Sequence, residues 1–121
     1  MNNHSEKRKF PRVQAFFRIS LSLENDKDRA IALAKDISKG GLYFQTEKLL
    51  GPNDIVEVSF SLPGNNKVYT VKGQVIRLVT MDDPDNENKN KYGAGIRFVE
   101  IEEEVVEAIK GLVEAKNAIK A

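Results

Sequence analysis

Apolar and polar residues alternate along several short segments of the chain, and this period of two is typical of half-buried β-strands. The first such segment begins at Gln14. Its residues divide between two faces, with apolar Ala15, Phe17, Ile19, Leu21 and Leu23 against polar Arg18, Ser20 and Ser22. Residues of the same β-forming character predict further strands at 30–37, 41–46, 55–62, 67–80 and 92–99.

The pattern changes to a helical period after residue 100, where apolar residues recur at Ile101, Val105, Ile109, Leu112 and Val113. Glutamates lie at the start of this segment and lysines at its end, and this order of charges suits the helix dipole. Gly73 interrupts the longest predicted strand and indicates a bulge or a sharp bend there. Six short strands followed by one helix predict an all-β fold, a six-stranded antiparallel β-barrel with a C-terminal α-helix packed on it.

The length of 121 residues suits a single domain with a modest core. We predict a basic N-terminal arm over residues 1–12, flexible on its own, and the barrel with its helix over 13–121. Residues 81–91 are polar and are predicted to form a flexible loop inside that domain. Positive charge is concentrated in the arm, which sets four cations against a single glutamate: Lys7, Arg8, Lys9 and Arg12 against Glu6.

The composition argues against several classes of partner. The net charge is +1, so the field of the whole chain favours neither DNA nor a membrane surface. No apolar run approaches the roughly 20 residues of a membrane span, and the N-terminus lacks a signal-peptide core. The chain has no cysteine, which excludes disulfides and is compatible with the reducing cytoplasm, where we expect the protein.

Catalytic and metal sites are not expected either. His4 is the only histidine and lies in the arm, so a Ser/His/Asp triad within the predicted barrel is excluded. The residue counts also exclude a metal site built from histidine and cysteine. The acidic residues at 82–85 lack the spacing of an EF-hand. We therefore predict a binding protein rather than an enzyme.

Two arginines on the arm are the first candidate site residues. Arg8 and Arg12 lie four residues apart, and arginine is suited to two-point recognition of phosphate oxygens or of the O6/N7 edge of guanine. Pro11 favours an extended backbone at Phe10, between them. Taken alone, the two arginines favour a simpler interpretation, in which the basic N-terminus only aids solubility.

A second motif, D-x-S-x-x-G, lies at the junction of two predicted strands. Asp36 and Ser38 are two residues apart, so a strand directs both side chains to one face. A carboxylate there accepts hydrogen bonds from guanine N1 and N2, and a hydroxyl bonds phosphate or base. Gly40 and Gly41 permit a positive φ and the close approach of another group. An ordinary turn before a strand is the alternative interpretation.

Together the two motifs resemble the PilZ domain, the bacterial receptor module for cyclic di-GMP (c-di-GMP). Arg8, Arg12, Asp36, Ser38 and Gly41 match each position of the family pattern R-x-x-x-R, strand, D-x-S-x-x-G. Residues 92–98 also resemble the glycine-containing last strand of these barrels. The resemblance implies a split six-stranded barrel, two arginines that clamp phosphates and guanine faces, Asp36 and Ser38 at a guanine edge, and close approach at Gly41.

The resemblance leaves the role of further residues open. Many PilZ domains carry a tryptophan or another flat side chain on the fifth strand, where it stacks on a guanine. This chain has no tryptophan, and Arg77 lies at the corresponding place. A guanidinium stacks on a base, but a solvent-facing arginine at a strand edge is an equal alternative. Lys7 and Lys9 add charge that adjusts affinity or ligand stoichiometry, and Gly40 adjoins the matched glycine.

We therefore predict a c-di-GMP receptor that orders its arm on binding the nucleotide and signals to a protein partner, which the sequence does not identify. One alternative is a PilZ-like interaction module that does not bind nucleotide, against which the intact motifs argue. Another is a small barrel that binds single-stranded nucleic acid, which requires stacking aromatics on a strand face. Only 7% of the residues are aromatic.

Overall fold

Six strands form a closed antiparallel barrel with one C-terminal helix, which confirms the predicted fold. The structure, a computed structural model, describes residues 12–24, 26, 28–64, 66–80 and 92–120, with only the backbone for 117–120. The elements are β1 (Val13–Leu23), β2 (Ala30–Ile37), β3 (Gly41–Thr46), β4 (Ile55–Phe60), β5 (Tyr69–Thr80), β6 (Tyr92–Glu100) and α1 (Glu103–Lys120). Around the barrel the strands follow the order β1-β2-β3-β6-β5-β4, and β1 pairs with β4 to close it.

The strand boundaries agree with the predicted ones to within two residues. β4 ends at Phe60 and β5 begins at Tyr69, so both are shorter than the alternation indicates. Pro63 and Gly64 lie in the turn between them, and Gly64 has a φ of 83°, which a glycine adopts without strain. The predicted loop at 81–91 and all of the arm except Arg12 lie outside the described residues.

The inward-facing residues of the alternating pattern fill the barrel. Ile19 on β1 and Phe44 on β3 are both at most 2% exposed. The helix adds the buried part of its predicted apolar stripe to the same core: Val105, Ile109 and Val113. Burying one such aliphatic side chain contributes about 1.5–3 kcal/mol, so α1 is an integral part of the domain. Among the described residues, no helix has both the length and the apolar composition that a bilayer span needs.

Strand β5 carries two irregularities in its pairing with β6. The first lies between Lys72 and Gly73, where Val99 on β6 is the extra residue, so the bulge beside Gly73 belongs to the partner strand and not, as predicted, to β5. At the second, Ile76 is an extra residue with no partner on β6, so that Arg77 pairs with Gly95. A bulge shifts the facing of all residues that follow it on the strand.

Strand β2 carries a similar bulge in its pairing with β3. Lys35 is the extra residue, so that Ala34 pairs with Phe44 and Asp36 pairs with Tyr43. Bulges are frequent beside functional sites, where they re-aim a side chain. Because of this shift, Asp36 of the D-x-S-x-x-G motif, rather than Lys35, is the residue that pairs with the aromatic residue Tyr43.

Candidate functional site

Four residues on four neighbouring strands form one row on the outer surface of the barrel, which we call the outer row: Asp36, Tyr43, Gly95 and Arg77. Each residue pairs directly with the next across β2, β3, β6 and β5. Because neighbouring strands lie about 4.8 Å apart, the row spans about 14 Å from Asp36 to Arg77. The bulges at Lys35 and Ile76 set the two ends of the row.

Arg12, the residue that precedes β1, binds Asp36 at one end of the outer row. Its Nη1 donates a hydrogen bond of 2.6 Å to Oδ1 of Asp36. The two side chains are 29% and 28% exposed, so this partly solvated ion pair contributes on the order of 1 kcal/mol or less to stability. Because an ionised carboxylate accepts about four hydrogen bonds, Asp36 keeps acceptor capacity for a ligand. The two predicted motifs therefore meet at this ion pair.

Ser38 shapes the turn between β2 and β3. It is 2% exposed, and its Oγ accepts a hydrogen bond of 3.1 Å from the backbone N–H of Gly40. The N–H of Ser38 donates to the carbonyl oxygen of Gly41 at 2.9 Å, and the carbonyl oxygen of Gly40 accepts from the N–H of Phe98 at 2.9 Å. The turn is thereby fixed to β6. Contact of Ser38 with a ligand remains a prediction.

Replacing Ser38 with alanine is expected to lower the free energy of unfolding by about 1 kcal/mol, because the N–H of Gly40 loses its acceptor inside a tight turn. Thermal unfolding followed by circular dichroism measures the effect. Ser61→Ala is the control, since Ser61 lies outside the strands and outside the turn from Ser38 to Gly41. Equal melting temperatures for Ser38→Ala and the wild type would show that the hydroxyl does not hold the turn.

Gly41 faces the backbone of β6 rather than open space. A Cβ added at this position would lie 2.0 Å from the carbonyl oxygen of Ile96, far inside contact distance. Of the glycines that the structure describes, only Gly64 has a positive φ, so Gly40 and Gly41 do not use the conformation that their residue type permits. Gly41 lets β3 approach β6. Its contact with a ligand remains a prediction.

Two cations lie on the side of the outer row away from Asp36. Arg77 is exposed and forms no ion pair with any residue that the structure describes. Arg97 pairs with Gly41 in the β3–β6 ladder, and its Nη2 donates a hydrogen bond of 2.9 Å to Oε1 of Gln74. With Arg12 at the Asp36 end, three guanidinium groups therefore lie along or beside the outer row, and such groups suit an anionic ligand.

Tyr43 and Arg97 were not among the residues predicted for the site. The sequence did contain a signal for both residues. Tyr43 follows Gly41 of the second motif by two residues, and Arg97 follows Gly95 of the last strand by two, so each shares the face of a glycine. The pairing of β3 with β6 was needed to bring them together. Lys7, Arg8 and Lys9 lie outside the described residues. Within the described part of the chain, no cluster of histidine, cysteine and acidic residues could hold a metal ion.

The family model of the PilZ domain matches residues 6–115. This range is most of the chain, so the chain belongs to the PilZ domain family, as its two motifs predicted. No curated protein matches the chain in sequence.

Solved structures share the fold at low sequence identity. The inhibitor of motility MotI/DgrA from Bacillus subtilis has a TM-score of 0.74 at 17% identity over 93% of this chain and 52% of its own. The PilZ domain of YcgR from Escherichia coli, solved with c-di-GMP, has a TM-score of 0.68 at 16% identity over 95% and 99%. The MrkH–c-di-GMP complex from K. pneumonia has a TM-score of 0.69 at 16% identity over 92% and 52%. The chain thus spans about half the length of MotI and MrkH.

Proposed function

We propose that this chain is a c-di-GMP receptor domain without catalytic activity. The observation that supports the proposal most strongly is the outer row with Arg12 bound at one end. A guanidinium, a carboxylate, an aromatic ring and a second guanidinium lie along about 14 Å of one barrel surface. The presence of c-di-GMP in the structures of YcgR and MrkH, which have the same fold, agrees with this proposal.

The residues that match the two motifs have chemical roles in this proposal, and so has Arg77. Asp36 accepts hydrogen bonds from N1–H and N2–H of a guanine, the two adjacent donors that distinguish this base. Arg12 and Arg8 bind phosphate oxygens, for which the planar guanidinium supplies paired donors. Arg77 lies at the other end of the outer row, from where it reaches the same ligand. Its guanidinium has a flat face suited to stacking on a base. Ser38 and Gly41 hold the turn between β2 and β3.

The proposed output is a change in the position of the arm. The nucleotide neutralises the positive charge of residues 7–9 and brings the arm against the outer row, starting from the existing contact between Arg12 and Asp36. The rearranged surface is then read by a downstream protein partner. The free energy of ordering the arm lowers the affinity for the ligand but provides the switch. This role places the protein in the bacterial cytoplasm, where it acts by binding alone.

Isothermal titration calorimetry with c-di-GMP tests this function, with cyclic di-AMP as the matched control. We expect saturable binding of c-di-GMP at micromolar concentrations and binding of cyclic di-AMP that is weaker by about 10-fold or more. Adenine presents an acceptor at N1, where guanine presents a donor, so Asp36 would face a lone pair. Absence of saturable c-di-GMP binding would rule out the proposed function, and equal affinities would rule out the role of Asp36.

A further inference from the structure

Tyr43 is the aromatic member of the outer row, and the proposed function gives it no role. It is half-buried and lies on the outward face of β3, whose neighbouring residues Leu42 and Phe44 are fully buried. Its direct partners in the two adjacent ladders are Asp36 and Gly95. The backbone of Tyr43 therefore lies beside that of Asp36, whose carboxylate is proposed to bind a guanine edge.

The position of the Tyr43 ring is determined by a missing side chain on β6. A Cβ added at Gly93 would lie 2.0 Å from Oη and 2.8 Å from Cζ of Tyr43, so the far end of the ring occupies the space directly over this glycine. Any larger residue at position 93 would displace the ring. The tyrosine thus extends diagonally across the outer surface from β3 to β6 rather than pointing along its own strand.

The neighbouring glycine leaves space beside the ring. A Cβ added at Gly95 would meet only the Cβ of Arg77, at 3.4 Å, and no atom of Tyr43 within 4 Å. The outer surface between Tyr43 and Arg77 is therefore bare backbone that a flat group can approach. Because stacking requires only a π-face, a partly exposed aromatic ring beside such a space is suited to a nucleobase.

We propose that Tyr43 is the stacking residue for one guanine of the ligand, and that Gly93 is the positioning residue that holds the ring in place. A base on this ring has the Asp36 carboxylate on one side and the Arg77 guanidinium on the other. The inference rests on the proposed function, and it assigns base recognition to β3 in addition to the arm and the β2–β3 turn. A purely structural role, in which the ring only covers the backbone of Gly93, is the competing explanation.

The test is calorimetric titration of c-di-GMP into Tyr43→Leu, Tyr43→Phe and Gly93→Ala. We expect Tyr43→Leu to weaken binding by about 10-fold, as stacking on aromatic side chains does for single bases. Tyr43→Phe retains the ring and is expected to bind within about 3-fold of the wild type. Gly93→Ala displaces the ring and is expected to weaken binding, but it should have no further effect in a Tyr43→Leu background, because the two residues act through one ring.

Thr70→Ala is the control, since Thr70 is an outward residue of β5 that pairs with Ser59 on β4, on the other side of the barrel. It is expected to leave the affinity unchanged. In the wild-type protein, the ring protons of Tyr43 should shift upfield in NMR spectra when c-di-GMP binds, and this measurement needs no variant to fold. Wild-type binding with an unaltered Tyr43→Leu affinity, or with no ring shift, overturns this inference alone. Absence of wild-type binding overturns the proposed function and this inference together.

Discussion

Replacing Arg12 with alanine is expected to weaken c-di-GMP binding by about 10- to 100-fold while lowering the melting temperature by only a few degrees. The affinity falls because a guanidinium makes paired, charge-assisted hydrogen bonds, each pair worth about 1–3 kcal/mol where a base edge is the acceptor. The substitution also leaves the Asp36 carboxylate without its cation beside an anionic ligand. Stability changes little because an ion pair that is 29% and 28% exposed contributes at most about 1 kcal/mol.

Arg29→Ala is the matched control for this prediction. Arg29 also binds a carboxylate, Glu57, at 3.0 Å, and its Nε donates to Ser20 Oγ at 2.6 Å, but on the β1–β4 side of the barrel. Its replacement removes the same charge and should leave the affinity for c-di-GMP unchanged. Calorimetry and thermal unfolding of both variants separate the two roles. Equal affinities of Arg12→Ala and the wild type, or unfolding of Arg12→Ala at room temperature, would contradict the proposed role of Arg12.

Replacing Gly41 with alanine is expected to destabilise the domain by about 3 kcal/mol and to lower the melting temperature by about 10 °C. The added Cβ would lie 2.0 Å from the carbonyl oxygen of Ile96 and 3.1 Å from its carbonyl carbon. These are backbone atoms of β6, so no side-chain rotation relieves the clash and the β3–β6 ladder must shift. Differential scanning calorimetry measures the effect on the whole domain.

Gly111→Ala makes the same chemical change but is expected to shift the melting temperature in the opposite direction. Gly111 lies in α1, and an added Cβ there would meet no atom within 4 Å beyond the adjoining backbone of its own helix. Alanine in an exposed helical position is more favourable than glycine by about 0.5–1 kcal/mol, so this variant is expected to melt slightly above the wild type. If Gly41→Ala melts at the wild-type temperature, β3 and β6 can move apart at little cost. The close packing of Gly41 on Ile96 predicts the opposite.

The fold could be predicted from the sequence because alternation and helical spacing report burial directly. The six strands and the helix follow from this pattern, and Gly73 marked the position of one bulge, although its extra residue is Val99 on β6. The bulges at Lys35 and Ile76 could not be predicted, because neither residue is a glycine or a proline. A register shift of one residue depends on the pairing of two strands, and the sequence of one strand does not contain it.

The site was predictable as a list of residues but not as an arrangement. The spacing of the motifs pointed to Arg12, Asp36 and Ser38, yet only the pairing of β1 with β2 explains why Arg12 reaches Asp36. Ser38 illustrates the limit of strand parity, since its side chain turns to the amide of Gly40 beyond the end of β2. Tyr43 joins the site because the bulge at Lys35 pairs it with Asp36, and because its ring lies over Gly93 on the neighbouring strand β6.

The most direct test of c-di-GMP binding at the outer row is an NMR titration that follows the backbone amide signals of the wild-type protein as the nucleotide is added. We predict saturable shifts at the outer row, Asp36, Tyr43, Gly95 and Arg77. A second row of paired residues on the other side of the barrel, Ser20, Ser59 and Thr70, serves as the internal control and should remain unshifted. Shifts confined to that second row, or no saturable shifts at any amide, would contradict the account.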